Sequence, residues 1–130
     1  MPIDTKTHGI MDYLMGIVLI AAPFLLGFAD GGAAMWVPII LGASALVYSL
    51  MTNYELGFVR VLPMPVHLAL DAMSGVLLAI SPWLFGFSEQ VWIPHVLFGL
   101  LELGAAAMTQ RSPTFAHVGS HSGMHPGGRL

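Results

Sequence analysis

The chain has 130 residues, of which 56% are hydrophobic and only 8% charged, with a formal net charge of −3. Four basic and seven acidic side chains cannot solvate a water-facing globule of this size, so the surface is expected to face lipid. The lack of a basic cluster excludes nucleic acid as an expected partner, and the lack of cysteine excludes disulfides, thiolate metal sites and CxxC redox chemistry.

In chain order, the N-terminal MPIDTKTHGIMDY has no small-residue cleavage site before its apolar run, so the first helix is expected to be retained. Apolar stretches follow at about 9–28, 34–52, 65–87 and 91–109. Each approaches the ~20 residues a helix needs to cross the hydrocarbon layer, and helices satisfy their own backbone there. ADGGAA at 29–34 and SEQ at 88–90 read as short turns, making two helical hairpins. NYELGFVRVLPMP at 53–65 is a longer connection, where Glu55 and Arg60 suit a local ion pair or a docking surface.

The two halves repeat. A shift of 59 places His8 on His67, Asp12 on Asp71, Gly16 on Gly75, Pro23 on Pro82, Gly27 on Gly86 and Phe28 on Phe87. At slightly smaller offsets Trp36 meets Trp92, Pro38 meets Pro94, Gly42 meets Gly99, and Met51-Thr52 meets Met108-Thr109. The expected architecture is all-α: a four-transmembrane-helix bundle of two tandem two-helix repeats. These run parallel about a pseudo-two-fold axis along the membrane normal. A single membrane domain covers 1–110, with repeat one at 7–55 and repeat two at 66–110. A short, flexible His/Gly-rich tail occupies 111–130. Lys6, Arg60, Arg111 and Arg129 all fall on one side, which by the positive-inside rule puts both termini in the cytoplasm of a multi-pass bacterial inner-membrane protein. Trp36, Trp83 and Trp92 then sit near the outer interface.

SPWLFGF at 81–87 resembles the signature of the SPW-repeat family, small bacterial membrane proteins built from two-helix repeats. HGIMDY, TNYELG and HLALD extend the resemblance over about residues 7–110. The first repeat keeps the proline and an aromatic but has Ala22-Pro23-Phe24 where the signature has Ser-Pro-Trp. The resemblance implies the fold and no activity.

Pro23, Ser81, Pro82 and Trp83 mark expected helix kinks, with Ser81 near enough to satisfy a carbonyl freed by the proline. Gly27 and Gly86 are expected to let helices approach closely. In HGIMD and HLALD the i, i+4 spacing puts a histidine and an aspartate on one helix face. With Glu102, which has Ala45 as its counterpart, His8, Asp12, His67 and Asp71 are expected to converge in the cytoplasmic half of the bundle. Buried ionisable groups in lipid usually face one another. Three roles compete: a structural lock, a divalent metal site through imidazole and carboxylate, and a proton or ion relay. Bis-histidine haem through His8 and His67 and Cu(I) through Met11 and Met15 are lesser alternatives. His117, His121 and His125 in the tail offer weak metal ligands without preformed geometry, and His95 is expected to be solvated or capping. No enzyme motif and no required cofactor is legible. The expected role is structural or accessory to a membrane assembly or homo-oligomer, and the alternative is a metal-binding or ion-conducting module.

Overall fold

The computed structural model describes residues 3–109. Among them four helices form and no strand: α1 (Thr5–Leu25), α2 (Ala33–Leu50), α3 (Met64–Leu84) and α4 (Ile93–Met108). His117, His121, His125, Arg111 and Arg129, for which the sequence raised expectations, lie outside the described residues. At 1.5 Å per residue, the 21 residues of α1 and α3 extend about 32 Å, enough to cross a hydrocarbon layer. α2 qualifies by length and composition too, whereas α4, at 16 residues, is shorter than a full span. The backbone amide of Ile3 donates to the Met108 carbonyl at 2.7 Å, so the end of α4 returns to the level where α1 begins. Large apolar side chains such as Leu14, Ile17, Leu25, Ile40, Val47, Met73 and Leu100 lie on the outside, the side that faces lipid in a membrane.

α1 starts earlier than the apolar run alone indicates, because Asp4 caps it. The Asp4 carboxylate accepts the Thr7 amide at 2.7 Å, and this bond holds its carboxyl below the usual value. α1 and α3 also stop earlier than expected, at Leu25 and Leu84 rather than at 28 and 87. Gly27 and Gly86 take positive φ (81° and 76°), while the Phe28 and Phe87 amides reach back to the Pro23 and Pro82 carbonyls at 2.9 and 2.8 Å. This is a Schellman ending, in which a left-handed glycine turns the chain out of the helix. Two expectations change as a result. Pro23 and Pro82 belong to the last turns rather than to mid-helix kinks, and Gly27 and Gly86 are capping glycines with nothing within 4 Å of an added Cβ.

Close approach falls instead to Gly16 with Gly42 in the first hairpin and Gly75 with Gly99 in the second. A Cβ on Gly42 would stand 2.7 Å from the Gly16 carbonyl oxygen, and one on Gly99 would stand 2.5 Å from that of Gly75. Helices without a hydrophobic drive between them associate through such small-residue contacts.

Each proline in a helix interior leaves a carbonyl without its i+4 amide. Ser81 Oγ donates to the Leu78 carbonyl at 2.7 Å, the one Pro82 orphans, as the sequence anticipates. The Ala34 carbonyl, orphaned by Pro38, accepts from His95 Nε2 at 2.9 Å. His95 is therefore neither solvated nor a cap on its own helix: it is buried against Phe28 and Phe87, joining the starts of α4 and α2. At the same end Trp83 and Trp92 lie 6.1 Å apart, and Gln90 donates to Asp30, tying the two short turns together.

Candidate functional site

At the opposite end from these turns, the first turns of α1 and α3 bring His8, Asp12, His67 and Asp71 into one buried cluster. His8 Nε2 lies 3.0 Å from Asp12 Oδ1 and 2.7 Å from Asp71 Oδ2. His67 Nε2 lies 2.8 Å from Asp12 Oδ2 and 3.1 Å from Asp71 Oδ2. Each imidazole thus faces its own helix's aspartate at i+4 and the other helix's aspartate across the interface. The two rings are 5.5 Å apart, edge to face. The i, i+4 spacing aligns each pair along one face, and the pairing of α1 with α3 at their N-terminal ends makes four residues into one site.

The other ring nitrogens are held by two threonines. Thr52 Oγ1 lies 2.7 Å from His67 Nδ1, and Thr109 Oγ1 lies 2.7 Å from His8 Nδ1. Both hydroxyls already donate to carbonyls four residues back, Thr52 to Tyr48 at 2.6 Å and Thr109 to Ala105 at 2.5 Å. A hydroxyl has one proton, so each threonine accepts from the imidazole and each Nδ1 carries a hydrogen. Both Nε2 atoms are consequently the ones that face the carboxylates. Sequence reasoning aligned Met51-Thr52 with Met108-Thr109 as part of the repeat and passed over the threonines as site residues. Their recurrence at equivalent helix ends was the available signal.

Tyrosines complete the shell. The Tyr48 hydroxyl donates to Asp71 Oδ1 in a short hydrogen bond, and Tyr54 donates to Asp12 Oδ2 at 3.2 Å. Tyr54 is fully buried although it lies in the long connection, because that connection folds over α1. Tyr13 donates to the Leu56 carbonyl at 2.8 Å, and Thr5 donates to Glu55 at 2.6 Å. Arg60 donates to the Gly57 and Glu55 carbonyls. Gly9 makes room for the fold-over, since a Cβ there would come within 2.8 Å of Leu56 Cδ1 and 3.0 Å of the Tyr54 ring. The glycine of HGIMD is thus a seat for the loop. In the second repeat the same position holds Leu68, itself buried.

Glu102 stands apart from the four. It is buried on α4, and its Oε1 has no hydrogen-bond partner. With His8, Asp12 and Asp71 it lines a cavity of about 310 Å³ between α1 and α4, otherwise walled by apolar side chains including Met11, Met15 and Phe98. The cavity follows from a break in the repeat. Tyr48 and Ala105 each give their carbonyl to the threonine four residues on, so they are equivalent, yet one has a large ring and the other a methyl group. Tyr48 fills its side and reaches Asp71, while Ala105 leaves its side open.

Chemically, the cluster is able to cross-link helices through charge-assisted hydrogen bonds, to pass a proton between carboxylates, or to hold a cation. No curated protein and no solved structure matched the chain significantly. The family model for the SPW repeat domain matches residues 6–109, a stretch that includes both histidine–aspartate pairs and Ser81-Pro82-Trp83. With its apolar helices, this match identifies the chain as a small membrane protein belonging to the SPW repeat family.

Proposed function

We propose that the protein is a non-enzymatic accessory component of a bacterial cytoplasmic-membrane assembly, and that its His/Asp cluster is the lock that joins its two hairpins. The observation that carries this reading is the crossed pattern of contacts, His8 to Asp71 and His67 to Asp12, between α1 and α3. A buried polar set crossed between two helices in this way specifies one packing of otherwise interchangeable apolar helices. Tyr54 and the folded-over connection shield it on one side, which suits a fixed joint better than a site of substrate turnover.

An accessory role predicts company. In native membranes solubilised in mild detergent, the chain is expected to migrate on a native gel with an assembly or homo-oligomer larger than one chain in its micelle. Migration at the mass of a single chain alone would overturn that part of the reading.

The orientation rests on the positions of Lys6, Arg60, Arg111 and Arg129 relative to Asp30 and Glu89. Reporter fusions at Met1 and Leu130 are expected to report the cytoplasm, and fusions near Gly31 and Glu89 the opposite side. A C-terminal fusion active on the outside would remove the even number of crossings.

A further inference from the structure

We propose that His8, Asp12, His67 and Asp71 form a binding site for one divalent transition-metal ion of the zinc type, held between α1 and α3. The proposal shares its four residues with the lock but asks for a bound ion, which the lock does not.

Geometry carries it. Each of the four residues offers one ligand atom, and these atoms all lie within 4.8 Å of one another. Both imidazoles are oriented by an outward Nδ1–H bond to a threonine, leaving Nε2 inward. Metal-binding histidines are held in this way, with the second nitrogen donating to an oxygen that fixes the ring. Asp71 is similarly braced: Tyr48 occupies its Oδ1 and leaves Oδ2 facing both imidazoles, whereas Tyr54 shares Asp12 Oδ2 with His67 and leaves Oδ1 to His8. Four ligands at about 2.0–2.1 Å around a tetrahedral ion stand about 3.3 Å apart. The present nitrogen–oxygen separations of 2.7–3.1 Å, in which Asp12 turns Oδ1 to His8 and Oδ2 to His67, would widen by about 0.2–0.6 Å, while any wider separation within the 4.8 Å set would close.

A second observation points the same way. His67 Nε2 is buried and makes no hydrogen bond that satisfies it, although carboxylate oxygens of Asp12 and Asp71 lie 2.8 and 3.1 Å away. A buried polar atom in this state is an exception that calls for a partner, and a bound cation would be one. Charge agrees as well. Two carboxylates and two neutral imidazoles around a divalent ion make a neutral centre, the least costly state for a site surrounded by lipid. An ion entering displaces any proton from each Nε2 into solution. Two nitrogens and two carboxylate oxygens, with no sulfur, suit zinc, iron(II) or manganese(II) and disfavour Cu(I). The α1/α4 cavity adjoins the site, with Glu102, whose Oε1 has no hydrogen-bond partner, in its wall.

The test uses the full chain in detergent, with His117, His121 and His125 replaced by alanine so that the tail contributes no ligands. After chelator treatment and dialysis against buffered Zn²⁺, elemental analysis is expected to find one zinc per chain. Co²⁺ in its place is expected to give the intense visible bands of a four-coordinate site. Thr52→Val and Thr109→Val are expected to retain the helical circular dichroism and to bind Zn²⁺ about 10–100-fold more weakly, as loss of an outer hydrogen bond does. His67→Gln is expected to abolish binding. If that variant does not fold, the cobalt spectrum and the threonine variants decide alone. Less than one zinc per ten chains in the folded protein would overturn the proposal, as would undiminished binding in the folded threonine variants. Either result leaves the lock standing if the stability effects described in the Discussion are found, so the two readings fail separately.

Discussion

Replacing His67 by leucine is expected to cost about 3–5 kcal/mol of stability, the range seen when one partner of a buried charged set is removed. The substitution leaves Asp12 and Asp71 facing a single imidazole, His8, at 3.0 and 2.7 Å. Two carboxylates in a low-dielectric core are then served by one cation, and one carboxylate loses its partner. The double variant His67→Leu/Asp71→Leu removes one member of each sign, and leucine reproduces the branched outline of aspartate. Its remaining cost is the Tyr48 hydroxyl, which no longer has Asp71 Oδ1 to donate to and adds about 1–3 kcal/mol as an unsatisfied buried group. Adding Tyr48→Phe is expected to recover most of that loss, so that the triple variant is more stable than His67→Leu alone. Thermal or denaturant unfolding in detergent, followed by far-ultraviolet circular dichroism, measures the series. Costs that simply add from single to triple would mean that the four residues do not act as a unit, and the lock would be lost.

The second large effect lies in the glycine contacts. Gly99→Ala is expected to destabilise the protein by about 3 kcal/mol, the upper part of the overpacking range. The added Cβ would meet the Gly75 carbonyl oxygen at 2.5 Å and the Ala79 nitrogen at 2.6 Å, both backbone atoms that move only if α3 and α4 separate. Gly42→Ala is expected to cost less, since its nearest obstacles are the Gly16 carbonyl oxygen at 2.7 Å and the Leu19 Cβ at 2.9 Å. Gly104 is the control. It is helical, an added Cβ there meets nothing within 4 Å, and alanine is the better helix former by up to about 1 kcal/mol. Gly104→Ala is therefore expected to be neutral or slightly stabilising. If Gly104→Ala and Gly99→Ala behaved alike in the same unfolding assay, close helix approach would not be what holds each hairpin.

Separation of α3 from α4 also bears on the site. Thr109, which orients His8, directly follows the end of α4, and Glu102 is carried on that helix. A loosened second hairpin would thus misplace the outer support of an imidazole on the first. The glycine variants are expected to disturb the cluster from a distance, whereas the histidine variants disturb it from within.

What the sequence determined by itself is the part governed by period and composition. Helix type, the number of elements, the hairpin turns and the family follow from apolar runs, turn residues and the SPWLFGF stretch, because a lipid-facing chain with few charges has few other ways to satisfy its backbone. The convergence of His8, Asp12, His67 and Asp71 was legible too, since the i, i+4 spacing and the repeat place both pairs at the same depth on equivalent helices. Tertiary structure decided what depends on atoms far apart in the chain. The threonine supports are 15 residues from His67 and 101 from His8, and apart from their recurrence in Met51-Thr52 and Met108-Thr109 nothing near them in the chain marks them as partners of the histidines. His95 was misread because its acceptor, the carbonyl that Pro38 leaves free on another helix, is not encoded near it. The close-approach role passed from Gly27 and Gly86 to Gly16, Gly42, Gly75 and Gly99 for a similar reason. A glycine's role follows from the backbone angle it adopts and from what stands opposite it, and only the folded chain sets both.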